Sequence, residues 1–227
     1  MSVAFPHSDP DAARRYDSWF DRRWGRYAWR VESAAVLRAL GPVSGRRIAD
    51  IGCGTGRLGA LLASRDAQVI GIDVDAAMLA VAALRLPGRL VRADAMALPL
   101  RDASVDAAVS VATLEFTADP AQALAEMARI TRPGGRLVAA MLNPTSPWGW
   151  VGRVRERPPY RAGRFLSRDA LLALGRRYGA AQVRGLLYAA EPLPLLRWSG
   201  PLTEAVGTML PRFGAVQLLG VRRDRDR

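Results

Sequence analysis

An acidic residue and a cluster of glycines stand where a short apolar run gives way to a helix-forming run. Residues 48–59 read I-A-D-I-G-C-G-T-G-R-L-G, with Asp50 ahead of the alternating glycines. Glycine lets the backbone adopt positive φ and lets a ligand approach without a Cβ in the way. The helix predicted to begin near Arg57 offers free N–H groups and the positive end of its dipole at the same place. We therefore predict a strand, a turn and a helix that bind an extended polar molecule, part of it cationic.

The same glycines fit two classes of cofactor. The fingerprint Gly-x-Gly-x-x-Gly at 54–59, with Asp73 at the end of the next predicted strand, is typical of dinucleotide binding. A wider frame at 50–56, Asp-x-Gly-x-Gly-x-Gly, puts an acidic residue before the first glycine. The turn by itself leaves both classes open.

The elements that must position this turn follow a regular alternation. Predicted strands 48–51, 68–72, 90–92, 105–111 and 136–142 alternate with predicted helices 57–65, 76–86 and 120–131. A helix at 167–178 and strands at 182–189 and 214–221 follow, which brings the sheet to seven strands. This pattern predicts an α/β fold with a doubly wound, mostly parallel sheet and helices on both faces.

An aromatic-rich helical segment at 9–40 precedes the alternation. Gly25 is expected to separate two helices there, and Gly41-Pro42 to end the second. The aromatic side chains either pack these helices onto the domain or form a lid over a ligand.

Five segments between about 45 and 141 occur in a fixed order and spacing. They are A-D-I-G-C-G-T-G at 49–56, V-I-G-I-D-V-D-A-A-M-L at 69–79, R-A-D-A-M-A-L-P-L at 92–100, V-D-A-A-V-S-V-A-T-L-E-F at 105–116 and M-A-R-I-T-R-P-G-G-R-L at 127–137. Together they resemble the class I S-adenosylmethionine-dependent methyltransferases, above all the compact small-molecule branch that includes the ubiquinone and menaquinone C-methyltransferases. The resemblance implies a Rossmann-like methyltransferase sheet, S-adenosyl-L-methionine as cofactor and no metal.

The length of 227 residues, with no second core visible in the pattern, predicts one domain over 1–227, divided into three parts. An N-terminal helical lid would occupy 1–44, the cofactor-binding core 45–141, and acceptor-side insertions with the last strands 142–227.

Cofactor contacts are implied at the positions that match the family. Asp50 and the backbone at Gly52, Gly54 and Gly56 would hold the methionine part, whose ammonium suits a carboxylate. Asp73 would accept both ribose hydroxyls, since one carboxylate can receive two hydrogen bonds.

Further contacts would come from the next two strands. Asp94 would accept from the adenine amino group, and the Ala95 N–H would donate to a ring nitrogen. Four apolar side chains would pack beside the cofactor, namely Val74 and Met78 on the adenine and Val111 and Leu114 near the methionine and the transferred methyl. Asp73 and Asp94 could instead cap the helices that follow them.

In this family the acceptor attacks the sulfonium methyl in line, and the leaving sulfide is neutral. The enzyme has to align the reacting atoms and exclude water, and it needs a base only when the acceptor loses a proton. The candidates for a base are Glu115, Tyr16 and His7.

The acceptor pocket is expected to involve the N-terminal aromatics and two irregular stretches, 143–166 and 191–211. Their aromatic residues favour an apolar or aromatic small molecule, or a lipid-like one: Trp148, Trp150, Tyr160, Phe165 and Trp198. Five arginines in the first stretch could receive an anionic group, face an anionic membrane or form a solvated basic loop: Arg153, Arg155, Arg157, Arg161 and Arg164.

The composition limits the functional classes. The formal charge is +12, but all 33 basic residues are arginine, which points to a generally basic surface rather than a nucleic-acid face, so no nucleic-acid partner is expected. The single cysteine, Cys53, excludes an intramolecular disulfide. With no signal-like N-terminus or membrane-length apolar run, we expect a cytoplasmic protein.

The sequence leaves the oligomeric state open. Three alternatives stay open: an RNA or protein methyltransferase, a non-catalytic cofactor-binding scaffold, and a dehydrogenase.

Overall fold

A computed structural model describes residues 9–154, 163–188, 204–205, 207, 209–210 and 212–224. The helices are α1 (Pro10–Trp19), α2 (Arg23–Leu40), α3 (Arg57–Ala63), α4 (Ala76–Ala82), α5 (Pro120–Ile130), α6 (Pro147–Val154) and α7 (Arg168–Arg176), with a short 3-10 helix at Leu114–Phe116. The strands are β1 (Arg47–Ile51), β2 (Gln68–Asp73), β3 (Leu90–Arg92), β4 (Val105–Val111), β5 (Thr131–Leu142), β6 (Gly179–Leu186) and β7 (Val216–Arg223).

These strands form one seven-stranded sheet in the order β3-β2-β1-β4-β5-β7-β6. Neighbouring strands are parallel except at β7, which runs antiparallel to both β5 and β6. The expected doubly wound, mostly parallel sheet of seven strands is thus confirmed. The strand order reverses between β1 and β4, and in such sheets ligands bind in the crevice at the carboxyl ends of the strands on either side of that point.

Alternate side chains of the strands pack on two apolar layers. In β5, Leu137 and Met141 belong to the layer that contains α5 and α7 residues, whereas Val138 and Ala140 belong to the layer that contains α2 and α3 residues. Burial on both faces explains why the parallel strands read as near-continuous apolar runs. The strand ends are therefore held firmly, and the loops that leave them have fixed starting points.

The N-terminal segment does form two helices, but they divide earlier than the sequence suggests. The chain turns between α1 and α2 at residues 20–22, and Gly25 lies inside the first turn of α2. A Cβ at Gly25 would stand 2.1 Å from the Trp19 carbonyl oxygen. Glycine is thus needed at this position because α1 and α2 approach closely there.

The first irregular stretch contains a short helix, α6, and is anchored by Asn143. The Asn143 side-chain amide donates to the carbonyl oxygens of Arg212 and Gly214 at 2.9 and 2.8 Å. This anchors the segment after β5 beside the segment that enters β7. Within the described residues, no helix is long and apolar enough to cross a bilayer.

Gly25→Ala should lower the free energy of unfolding by about 1–3 kcal/mol, as overpacking commonly does. The added methyl would collide with the backbone of α1, so one of the two helices must shift. The matched control is Gly220→Ala in β7, where the nearest atom to an added Cβ is 3.9 Å away. Urea denaturation of both variants checks this, and equal stabilities would contradict it.

Candidate functional site

The glycine turn after β1 is attached by hydrogen bonds to the end of β2. The Gly52 and Cys53 N–H groups both donate to the Ile72 carbonyl oxygen, at 2.7 and 3.0 Å. Gly52 and Gly54 have φ of 68° and 53°, which only glycine adopts easily. A Cβ at Gly52 would strike the Thr113 side chain at 2.1 Å, whereas a Cβ at Gly54 would meet nothing within 4 Å. The turn is therefore packed beneath Gly52 and open above Gly54.

Asp73 ends β2 and faces the turn. Its carboxylate accepts from the Gly54 N–H at 2.8 Å and from the Asp75 N–H at 2.9 Å. Burial raises the pKa of Asp73, and these two N–H groups offset part of that rise. Asp75, not Asp73, caps α4, since its side chain accepts from the N–H groups of Ala77 and Met78. Helix capping therefore does not account for the carboxylate at position 73.

Asp50 lies beneath the turn with only 2% of its surface exposed. Its Oδ2 atom has no hydrogen-bond partner in the part of the chain that the structure describes. Burial and then the neighbouring charge of Asp73 raise the pKa of Asp50 to about 7, against the opposing effect of the Gly59 N–H. A buried carboxyl oxygen without a partner is costly, so this position is suited to a hydrogen-bond donor or a cation.

The remaining residues expected to contact the cofactor lie at the ends of β2, β3 and β4. Asp94 accepts from the Met96 N–H at 2.8 Å, which shapes the turn after β3, and Ala95 is half-buried beside it. Val74 is 51% exposed, while Met78, which lies in α4, is buried in a cluster with Ala13 of α1. Val111 is half-buried, and Leu114 is packed within the core. The direct contacts assigned to these residues stay predictions.

Two of the three candidate bases, Tyr16 and Glu115, lie within the described residues, and His7 lies outside them. The pKa of Tyr16 is raised to about 12, mainly by burial. The negative charges of Glu32, Asp73, Asp17 and Glu115 add to the rise, in that order. The residue is 40% exposed. The ring packs edge-to-face on Phe20 at 5.5 Å.

Glu115 lies in the 3-10 helix after β4 and is completely buried. Its Oε1 accepts from the Leu142 N–H at 2.9 Å, and its Oε2 has no partner within the described ranges. Burial raises the pKa of Glu115 to about 7. Glu115 is therefore enclosed by protein and has no surface that solvent can reach.

The acceptor-side aromatics are only partly described. The Phe165 ring packs edge-to-face on Phe116 at 6.4 Å, and the Arg164 N–H donates to the Glu115 carbonyl oxygen at 2.6 Å. These contacts bring the segment after residue 162 to the candidate site. Trp148 is half-buried and Trp150 is 61% exposed. Tyr160, Trp198, Arg155, Arg157 and Arg161 lie outside the described residues, as does the side chain of Arg153.

Asp17, which is not among the residues predicted from the sequence, joins α1 to the glycine turn. Its carboxylate accepts from Thr55 Oγ1 at 2.6 Å, from Arg57 Nε at 2.7 Å and from Arg85 Nη2 at 2.8 Å. Arg85 also donates to the Thr55 carbonyl oxygen at 2.8 Å. Burial would raise the pKa of Asp17, but the hydrogen bonds from Arg57, Thr55 and Arg85 outweigh it and lower the pKa to about 2. The ion pairs thereby fix α1 to the start of α3 and to Arg85, and the lid function of the N-terminal helices stays a prediction.

Glu32, a carboxyl in the buried stripe of α2, is also absent from the predicted site residues. Ala28 and Val36, one turn before and one turn after it, are both buried. Burial and the charge of Glu115 raise the pKa of Glu32 to about 7, although part of its surface is open. The sequence does contain a signal for Glu32, because it is an acidic residue in an otherwise apolar helical stripe.

Comparison with known proteins identifies the class of this fold. Residues 49–139, which run from β1 into β5, match a family described as Methyltransferase domain. This part of the chain is therefore similar to a methyltransferase domain, and the predicted resemblance to the S-adenosylmethionine-dependent methyltransferases is confirmed. A demethylmenaquinone methyltransferase of Beutenbergia cavernae is 38% identical over 146 residues, covering 61% of this chain. The match spans only 57% of that relative's length.

Solved structures show the same fold at low sequence identity. An S-adenosylmethionine-dependent methyltransferase of Thermotoga maritima, described as a possible histamine N-methyltransferase, aligns with a TM-score of 0.74 at 24% identity, covering 97% of this chain and 100% of its own. Geranyl diphosphate C-methyltransferase of Streptomyces coelicolor, in complex with Mg2+, geranyl diphosphate and S-adenosyl-L-homocysteine, aligns with a TM-score of 0.63 at 20% identity. That alignment covers 86% of this chain and 78% of the other.

Asp17→Asn should lower the free energy of unfolding at pH 7 by roughly 1.5–3 kcal/mol, the range for hydrogen bonds to charged groups. The folded-state pKa is lowered, so the wild-type contribution is present above the unfolded pKa of about 3.9 and is lost as pH falls toward about 2. The stability difference between wild type and variant should therefore shrink as pH falls from about 4 to 2.

The control for this variant is Asp21→Asn, whose carboxylate is 70% exposed and lies 3.2 Å from Arg57 Nη2. Chemical denaturation across pH should show a change near zero for this exposed pair. A similar loss in both variants, or a pH-independent effect of Asp17→Asn, would argue against the ion-pair account.

Proposed function

We propose that the protein is an S-adenosylmethionine-dependent methyltransferase that transfers the methyl group to an apolar or aromatic small-molecule acceptor by in-line displacement. The observation that carries the proposal is the open space above Gly54, bordered by the Asp73 carboxylate, with the buried and unpartnered Asp50 oxygen beneath the same turn. The methyltransferase-domain match and the relatives above support it.

The residues present fit this cofactor. Each Asp73 oxygen already accepts one backbone N–H and keeps acceptor capacity for a vicinal diol. The buried Asp50 oxygen suits the ammonium end, either directly or through the backbone of the turn. When bound, the cofactor supplies an electrophilic methyl group, and the chain's own residues must orient the acceptor toward it and exclude water.

The N-terminal helices α1 and α2 would act as the lid that excludes water. Asp17 fixes α1 to the glycine turn, and Tyr16 on the same helix is thereby held near the space proposed for the cofactor. Phe116 and Phe165 pack on the acceptor side of the 3-10 helix. These aromatic groups support an apolar or ring-bearing acceptor, as does the methylation of a quinone precursor that the name of the Beutenbergia relative indicates.

Asp73→Asn should weaken binding of S-adenosyl-L-methionine and S-adenosyl-L-homocysteine roughly 10–150-fold, because a charged acceptor for the diol is lost. Asp75→Asn is the matched control two residues away, since asparagine caps helices as well as aspartate does. Isothermal titration calorimetry with both ligands and with NAD+ checks the proposal. Undiminished binding in Asp73→Asn, or tighter binding of NAD+, would refute it.

The acceptor class is tested with methyl-labelled cofactor and a cell extract freed of the endogenous enzyme. We expect label in the fraction that organic solvent extracts, and its loss with the Asp73→Asn protein. Label confined to RNA or protein would favour the macromolecular alternative, and binding without any transfer would favour a scaffold.

A further inference from the structure

Exposed apolar side chains are concentrated on two segments that lie beside each other at one edge of the sheet. Eight large apolar side chains are exposed in the part of the chain that the structure describes, and five of them lie on α6 or just before β7. These five form what we call the apolar patch, and each is more than half exposed: Trp150, Val154, Met209, Leu210 and Phe213. Exposed apolar residues scattered singly are ordinary, whereas such a concentration marks an interaction site.

The helix α6 turns an apolar face outward. Pro147, Trp150 and Val154 follow one another at intervals of three and four residues, so they lie on one side of the helix, and all three are exposed. Gly149, on the opposite side, is buried, and a Cβ there would stand 2.1 Å from the Asn143 carbonyl oxygen. A surface helix of a soluble domain normally turns polar side chains to water. The outward face of α6 is therefore suited to a less polar environment than water.

Hydrogen bonds at Asn143 hold the two segments of the patch together. The Asn143 side-chain amide donates to the carbonyl oxygens of the residues on both sides of Phe213, at 2.9 and 2.8 Å. The Ser146 hydroxyl donates to the Asn143 carbonyl oxygen at 2.8 Å, and the Ser146 carbonyl oxygen accepts from the Trp150 N–H at 2.9 Å. A continuous set of hydrogen bonds therefore runs from the backbone around Phe213 to the first turn of α6.

The backbone of the segment before β7 is folded into turns, but its large side chains stay outside the core. The Leu210 N–H donates to the Gly207 carbonyl oxygen at 2.8 Å, and the Phe213 N–H donates to the Leu210 carbonyl oxygen at 3.0 Å. Met209, Leu210 and Phe213 nevertheless remain exposed. The turns thus present apolar side chains outward, as α6 does.

The surroundings of the apolar patch are basic. Arg212, next to Phe213, is exposed, and no acidic residue within the described ranges forms an ion pair with it. The sequence from 143 to 166, which includes α6, contains five arginines and a single acidic residue, Glu156. Arginine keeps its guanidinium in water while its stem lies along apolar surface. Aromatic and aliphatic groups bordered by arginine are typical of a face that binds an anionic bilayer.

We propose that the apolar patch is a membrane-binding surface, whose side chains enter the headgroup region of an anionic bilayer while Arg212 contacts lipid phosphates. The exposed surface of the five side chains is roughly 500 Å², which is less than each partner contributes to a stable protein interface. A second copy of this chain would bring the same arginines and be repelled, whereas anionic lipid is attracted.

This surface lies at the same edge of the sheet as the candidate site. β5 is parallel to β4 and β1, so the carboxyl end of β5, from which α6 follows, is at the edge that carries the glycine turn. A bilayer bound there would face the side of the molecule where an apolar acceptor is proposed to enter. The inference goes beyond the proposed function and does not rest on it, because the patch and its charge are independent of methyl transfer.

Vesicle flotation tests the proposal on the wild-type protein, without cofactor or acceptor. The protein is mixed with vesicles of phosphatidylcholine alone or of equal parts phosphatidylcholine and phosphatidylglycerol. We expect binding to the anionic vesicles to be roughly tenfold stronger or more, since each basic residue near an anionic surface contributes about fivefold, and to weaken as salt is added. No binding to either vesicle, equal binding to both, or binding that salt does not change would overturn the proposal. Because no methyl donor is present, such a failure leaves the proposed function untouched.

Substitutions test which face binds the bilayer. Trp150→Ser and Phe213→Ser should each weaken binding to the anionic vesicles roughly tenfold, because a large apolar group no longer leaves water. Leu84→Ser is the matched control, since Leu84 is 86% exposed but follows α4, which contacts β2 and β3 at the other end of the sheet. Circular dichroism and thermal unfolding show that each variant is folded. Unchanged binding in both patch variants, or an equal loss in Leu84→Ser, would overturn the proposal.

Fluorescence and light scattering distinguish the bilayer from a protein partner. Trp150→Phe should still bind anionic vesicles but lose most of the quenching of tryptophan fluorescence that lipids brominated on their acyl chains cause in wild type. Quenching that persists in full would place another part of the chain on the bilayer and overturn the proposal. A wild-type dimer in the absence of lipid that becomes a monomer in Trp150→Ser would assign the apolar patch to a second copy of the chain, and the proposal would fail.

Discussion

The double hydrogen bond from the glycine turn to the end of β2 determines where every other group of the site lies. Gly52 and Cys53 both donate to the Ile72 carbonyl, and the next donor along the turn, Gly54, reaches the Asp73 carboxylate. The turn after β1 and the carboxylate after β2 therefore cannot move independently. Thr113 closes the turn from the β4 side, where a Cβ at Gly52 would collide with it. Three strand ends are thus fixed against one another at the reversal of the strand order, and a ligand there meets groups that are already placed. Binding to such a preformed site costs little ordering of the protein.

The position of α1 depends on this arrangement, because its anchor is part of the turn. Thr55 belongs to the turn and Arg57 is the first residue of α3, and both donate to Asp17 on α1. Arg85, in the segment that follows α4, donates to the same carboxylate. One acidic residue therefore links the N-terminal segment to two parts of the chain around the turn, and the low pKa of Asp17 keeps that link ionised through the physiological range. Tyr16 on α1 and Phe20 at its end take their positions from this link.

The sequence predicted the sheet well because parallel strands buried on both faces leave an unmistakable apolar pattern, as in β4 and β5. It predicted the turn because glycine spacing reports positive φ, which Gly52 and Gly54 indeed adopt. It failed where a residue's role depends on distant partners. Gly25 resembles a helix separator, yet it permits close contact between α1 and α2, and that contact depends on tertiary packing. Asp17 has the pattern of a solvated helical residue, and its partners at 55, 57 and 85 cannot be inferred from local spacing. Glu32 could have been identified from the sequence, because an acidic residue in an apolar helical stripe is costly to bury.

The distribution of charge among the enclosed carboxyl groups is uneven. A strongly basic chain would be expected to neutralise its enclosed carboxylates with arginine, and it does so at the half-buried Asp17 and Glu126. Among the described residues, no arginine pairs with Glu32, Glu115 or Asp50, and burial raises the pKa values of all three toward neutrality. Asp50 lies beneath the turn where the sulfonium donor is proposed to bind. A carboxylate there stabilises the positive charge of the donor, whereas an arginine would oppose it. A buried carboxylate without a counter-ion is costly, so these carboxyls are expected to be partly protonated near neutral pH. Ligand charge and carboxyl ionisation are therefore coupled at this site.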